Sequence, residues 1–76
     1  MISLIFVQAF TASRFGVIPD DPIEVDNPEH AYRLAERLAR QKPGAAVFYK
    51  FGGRTTVLAS YGRVPETFLE DVGGLN

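Results

Sequence analysis

Few residues of this chain are of a kind that does chemistry, and their spacing decides what each could do. His30 is the sole histidine, and there is no cysteine or tryptophan. A general base needs an orienting acid and a substrate pocket. His30 instead follows Glu29, three residues after Asn27, the position of an exposed residue in a first helical turn. No serine stands in a nucleophile context. Asp20, Asp21, Glu24 and Asp26 form an acidic cluster. A calcium loop needs spaced oxygen ligands, a glycine at its sharp turn and a closing glutamate. That spacing is absent, so a solvated turn followed by helix-start charges is the expectation. Gly52-Gly53 lacks the strand–glycine–lysine–helix order of a phosphate loop and reads as a turn.

A basic set offers a different chemistry. Arg33, Arg37 and Arg40 recur along one helical face, and Lys50 and Arg54 flank the aromatics Tyr49 and Phe51. Cations interleaved with aromatic rings could form a platform for single-stranded nucleic acid. The overall pI of about 5.7 opposes that reading, because such domains are usually basic. The formal charge of −1 conceals an asymmetry. Residues 1–32 carry one basic and five acidic side chains, residues 33–63 seven basic and one acidic, and residues 64–76 three acidic and none basic. Acidic flanks folding beside a basic middle give internal pairs or self-complementary patches.

The elements that must position these residues are more legible than the chemistry. Residues 2–12 are almost wholly apolar, with β-branched and aromatic side chains on both alternating faces, as in a central strand. Thr11 to Asp21 predicts a loop, with a short extended piece around Phe15 to Ile18. Pro22 to Val25 fits a short edge strand. Asn27 as N-cap, Pro28 at the first helical position and Glu29 near the positive end of the dipole predict a helix over 28–41. Its buried stripe is Ala31, Leu34, Ala35, Leu38 and Ala39. Glu29–Arg33 and Glu36–Arg40 stand at the i,i+4 spacing of ion pairs. Pro43-Gly44 stops the helix.

Ala45 to Phe51 and Arg54 to Tyr61 then read as two strands joined by Gly52-Gly53. The simple register sets Phe48 opposite Val57, Ala46 opposite Ala59, Val47 opposite Leu58, Tyr49 opposite Thr56 and Phe51 opposite Arg54. It packs the Phe48 and Val57 side on the alanine stripe. It leaves Val47, Tyr49, Phe51 and Leu58 on the uncovered side as an apolar partner interface. A glycine bulge would shift the register by one and reverse that choice. A last short helix is expected within residues 66–72.

The order strand, short strand, helix, strand, strand resembles that of a group of small bacterial proteins without an assigned activity. The resemblance is carried by Val7-Gln8-Ala9-Phe10, the helix Ala31 to Ala39, the strand start Lys42 to Phe48, and Val57 to Pro65. It implies the fold rather than a function. Members of that group have a longer, more polar hairpin loop where this chain has only Gly52-Gly53, so no loop-based activity carries over.

Together these observations predict a single α+β domain over residues 1–76. It has a three- or four-stranded, mainly antiparallel sheet and one main helix on one face. At 76 residues such a core is thin, and domains of this size often recruit a disulfide, a metal or a partner subunit. Without cysteine there is no disulfide or thiolate zinc site, and one histidine cannot build a histidine-rich site. A partner subunit is the remaining common stabiliser. One helix cannot cover both faces of the sheet, so either a partner or the segment Phe68-Leu69-Val72 must cover the second.

The apolar stretch at residues 1–10 is too short to cross a bilayer and lacks the features of a signal peptide. The expectation is therefore a cytoplasmic, non-enzymatic protein-interaction module. It would need no cofactor, metal or small-molecule substrate, and would associate with a protein partner, including itself as a homodimer. Nucleic-acid binding through Arg33, Arg37, Arg40, Lys50 and Arg54 is the alternative.

Overall fold

A computed structural model describes residues 3–68. In chain order these form β1 (Ser3–Ser13), β2 (Gly16–Pro19), β3 (Ile23–Val25), α1 (Pro28–Gln41), β4 (Gly44–Phe51), β5 (Arg54–Gly62) and a 3-10 turn, Glu66–Phe68. The fold is α+β, one helix on an open antiparallel sheet. The sheet has five strands, but four positions across. β2 and β3 follow one another along the same edge of β1, opposite β4, and β5 lies outermost. The extended piece and the edge strand expected from the sequence are β2 and β3. Of the short helix expected over 66–72, the 3-10 turn is the described part; residues 69–72 lie outside the described residues.

The helix forms where its caps dictate. The Asn27 side chain accepts a hydrogen bond from the His30 N–H at 2.9 Å, satisfying an amide that has no partner within the helix. At the other end the Lys42 N–H donates to the Leu38 carbonyl at 2.9 Å before the chain turns extended. Ala31 and Ala35 are fully buried, with Tyr32, Leu34, Leu38 and Ala39 partly buried beside them. Arg33 reaches Glu29 at 3.1 Å on the solvent side. Glu36 and Arg40, at the same spacing, form no such pair.

Two glycine-dependent places fix the hairpin. Gly52 has φ +62° and is the first of the two turn residues between paired Phe51 and Arg54, as a type II′ turn requires. At the opposite end Gly44 and Gly62 face each other across β4 and β5. A Cβ on Gly44 would lie 2.1 Å from the Arg63 carbonyl oxygen, so only glycine admits this approach. The backbone contact is sealed by the Arg63 N–H donating to the Pro43 carbonyl at 2.9 Å.

The register between these points differs from the simple one. Phe51–Arg54, Tyr49–Thr56 and Phe48–Val57 pair as expected, but Val47 then pairs with Ala59 and Ala46 with Ser60. Leu58 is the extra residue of a bulge and no glycine is involved. Beyond it, Ala59 and Tyr61 change sides and join Val47.

The helix consequently covers the face opposite to the expected one. Val7, Ala9, Ala45 and Val47 are buried against Ala31 and Ala35, with Val25, Ile5, Ala59 and Tyr61 around them. Small side chains on both layers allow close approach without strain. The alternative face carries Gln8, Lys50, Glu24 and Thr55, which a helix would have stripped of water at substantial cost. Burial pushes the Tyr61 phenol above its ordinary pKa, and the nearby Glu36 carboxylate adds to the effect.

Candidate interaction surface

The helix-free face is built by alternation. Phe6, Gln8 and Phe10 of β1 point away from the helix because Ile5, Val7 and Ala9 point toward it. Ala46 and Phe48 of β4 and Val57 of β5 complete this side. Its two ends differ. At the Phe10 end the chain covers its own sheet. The Phe68 ring meets Phe10 edge-on at 5.1 Å between centroids, Val17 and Val64 pack alongside, and Phe10 is fully buried.

At the Phe6 end nothing among the described residues lies over the sheet. Phe6 stacks on Phe48 at 5.2 Å and remains half-buried. Beside it runs an open groove of about 360 Å³ lined by Leu4, Phe6, Pro22, Glu24, Lys50 and Thr55. The pairing explains its layout. Leu4 and Phe6 of β1 form the floor, Glu24 stands across from Phe6 on β3, and Lys50 stands across from Leu4 on β4. The groove thus has an apolar floor with an acid on one bank and a base on the other. Both charged residues are exposed, and neither makes an ion pair among the described residues.

A second polar arrangement ties the sheet edge to the end of the helix. The Lys42 ammonium donates to the Asp20 carboxylate at 2.8 Å and to the Thr11 hydroxyl at 3.3 Å. Thr11 donates to the other Asp20 oxygen at 2.7 Å. Gln8, a buried polar side chain of β1, donates through Nε2 to the Asp20 carbonyl. The Asp20 N–H donates to the Ala9 carbonyl at 2.9 Å. The Lys42 and Thr11 hydrogen bonds hold the Asp20 carboxyl below its usual range. Every member is occupied by another, so the cluster is a structural clasp holding β2 and α1 to β1. Gln8, a lone amide in an apolar strand, is the signal the sequence offers for it; its partner Asp20 lies 12 residues downstream, and Lys42 a further 22.

The expected interface residues do not lie together on the open face. Val47 is fully buried beneath the helix, and Tyr49 is half-buried on that same side. Tyr49 stacks with Phe51 at 6.4 Å near the hairpin turn, where Phe51 is 49% exposed. Leu58 is 36% exposed at the bulge. The apolar floor of the helix-free groove is formed instead by Leu4 and Phe6, two residues of the strand expected to be central.

The basic set is dispersed as well. Arg33, Arg37 and Arg40 are exposed on the helix, whereas Lys50 lies on the far face of the sheet and Arg54 at the hairpin turn. The acidic cluster is also divided: Asp20 is engaged by Lys42 and Glu24 borders the groove. Among the described residues no three histidine, aspartate or glutamate side chains are grouped to hold a metal ion. No described helix is long and apolar enough to cross a membrane. The chain matches no protein-family model, no curated protein and no solved structure, so its functional reading rests on the physical character of this surface.

Proposed function

We propose that this chain is a non-enzymatic self-associating module, and that copies dock through the helix-free face at Leu4 and Phe6. The observation that supports it is the half-buried apolar floor at one end of a face whose other end is capped by Phe68. The molecule has two layers, with Cα extents of 38 × 30 × 17 Å, and a third layer over this floor would complete the sandwich that buries both sides of a sheet. A second copy fits because the groove carries one residue of each charge and so does not repel itself.

Sedimentation velocity over a wide concentration range tests this reading. The weight-average sedimentation coefficient should rise with concentration toward that of a dimer. Leu4→Asp should hold the chain at the monomer value with an unchanged far-UV circular dichroism spectrum. A monomer at every concentration would refute the proposal.

A further inference from the structure

The layout of the groove specifies how two copies would meet. This step rests on the self-association just proposed and adds its geometry. We infer that the partners are related by a two-fold axis lying in the plane of the face, passing over β1 between Leu4 and Phe6 at right angles to the line from Glu24 to Lys50. In this arrangement Glu24 of each copy faces Lys50 of the other.

The argument begins with the pairing. Glu24 sits one strand to one side of β1, at the level of Phe6. Lys50 sits one strand to the other side, at the level of Leu4. Their midpoint falls on β1 between those two floor residues. A second copy turned face-down about the in-plane axis through this midpoint, at right angles to the Glu24–Lys50 line, has its banks exchanged. Each acid is thereby carried over a base, and each apolar floor over its own copy. Isologous contacts require this self-complementarity, in which one residue meets a second and the second meets the first.

Displacement of the axis toward either bank would oppose Glu24 to Glu24 or Lys50 to Lys50, and like charges facing each other across an interface disfavour it. The six lining residues contain no other charged side chain to compensate. The two ion pairs therefore select the orientation, while Leu4 and Phe6 supply the apolar burial. Both charged residues are exposed and without an ion-pair partner among the described residues, so meeting the other copy breaks no pair among them.

Charge reversal tests the geometry without disturbing the core. Glu24→Lys alone and Lys50→Glu alone should each weaken self-association at least tenfold by sedimentation velocity, since each puts like charges opposite one another twice. The double variant Glu24→Lys/Lys50→Glu should recover the original dissociation constant to within about threefold, as paired reversals do when the two residues interact directly. An equimolar mixture of the two single variants should form a heterodimer, because both of its contacts are complementary. Self-association that persists unchanged in both single variants would overturn the two-fold arrangement and leave the docking face standing. Absence of association in the unaltered chain would overturn both. So would intramolecular cross-links from residues 69–76 to Leu4 or Phe6, which would identify this chain's own terminus as the occupant.

Discussion

The two faces of one sheet solve the same problem with opposite materials. Under the helix, Val7, Ala9, Ala45 and Val47 meet Ala31 and Ala35, and all six are buried. On the far side Phe6, Phe10, Phe48 and Phe68 stack or meet edge-on. Small residues bury each other only if a second layer approaches closely. Aromatic rings each carry a large apolar area and shield one another laterally, so they fill a face with less cover. The contrast shows where the molecule is finished and where it is open. The alanine-rich face is closed by the chain itself, and the aromatic face is closed at Phe10 and, among the described residues, open at Phe6.

One pair of substitutions puts the greatest stress on this comparison. Val47→Asp places an unpaired carboxylate beneath the helix, a cost of several kcal/mol against a total stability of roughly 5–15 kcal/mol. It should unfold the chain or move its urea midpoint drastically, as read by circular dichroism. Leu4→Asp, on the open floor, should cost far less stability and act on association instead. Equal loss of stability in both would erase the distinction between a closed and an open face.

The hairpin end that sets which residues reach the helix gives the next largest effect. Gly44→Ala drives a methyl group into the Arg63 backbone, and overpacking of this kind costs about 1–3 kcal/mol. Equilibrium urea unfolding should show the lower midpoint with an unchanged slope. A neutral result would mean that β4 and β5 can separate at Gly44 and Gly62 without consequence for the helix-bearing face.

The smallest effect concerns the clasp between β1, β2 and the end of α1. The Asp20 carboxyl titrates below its ordinary value near 3.8 because Lys42 and Thr11 donate to its ionised form. Its folded-state pKa is depressed, so the stability it contributes is complete above the unfolded-state value. That contribution is lost as pH falls through the lower folded-state value. Denaturant midpoints measured from pH 6 downward should fall more steeply in the unaltered chain than in Asp20→Asn. Parallel profiles would remove the clasp from the account of how the sheet edge is held.

Much of this architecture was legible residue by residue. Asn27-Pro28-Glu29 marked the helix start, Pro43-Gly44 its end, and Gly52-Gly53 the hairpin, because each acts through local backbone geometry. The short strand β3 showed through alternation and proline placement, whereas β2 showed only as an extended piece within an expected loop. The candidate surface was not legible in the same way. Val47, Tyr49, Phe51 and Leu58 form a regular alternating set only if the two strands stay in simple register, and the unpaired Leu58 breaks that regularity. A bulge at a leucine has no compositional mark, whereas one at a glycine would have had one. The sequence offers Phe68 as part of one of two alternative covers of the second face, but its seat on Phe10 was not legible, since it joins residues at opposite ends of the chain.

By itself the amino-acid sequence determined the class of fold, the limits of its helix and hairpin, and the excess of apolar strand surface over what one helix can cover. Capping, turn geometry and side-chain periodicity act over a few neighbouring residues, so they can be read in order along the chain. Only the tertiary structure decided which sheet face the helix took, and with it which residues were left open. That choice depended on the summed fit of small side chains against Ala31 and Ala35, on keeping Lys50, Glu24 and Thr55 in water, and on one extra residue in β5. These balances are settled between strands distant in sequence, where no local signal reports them.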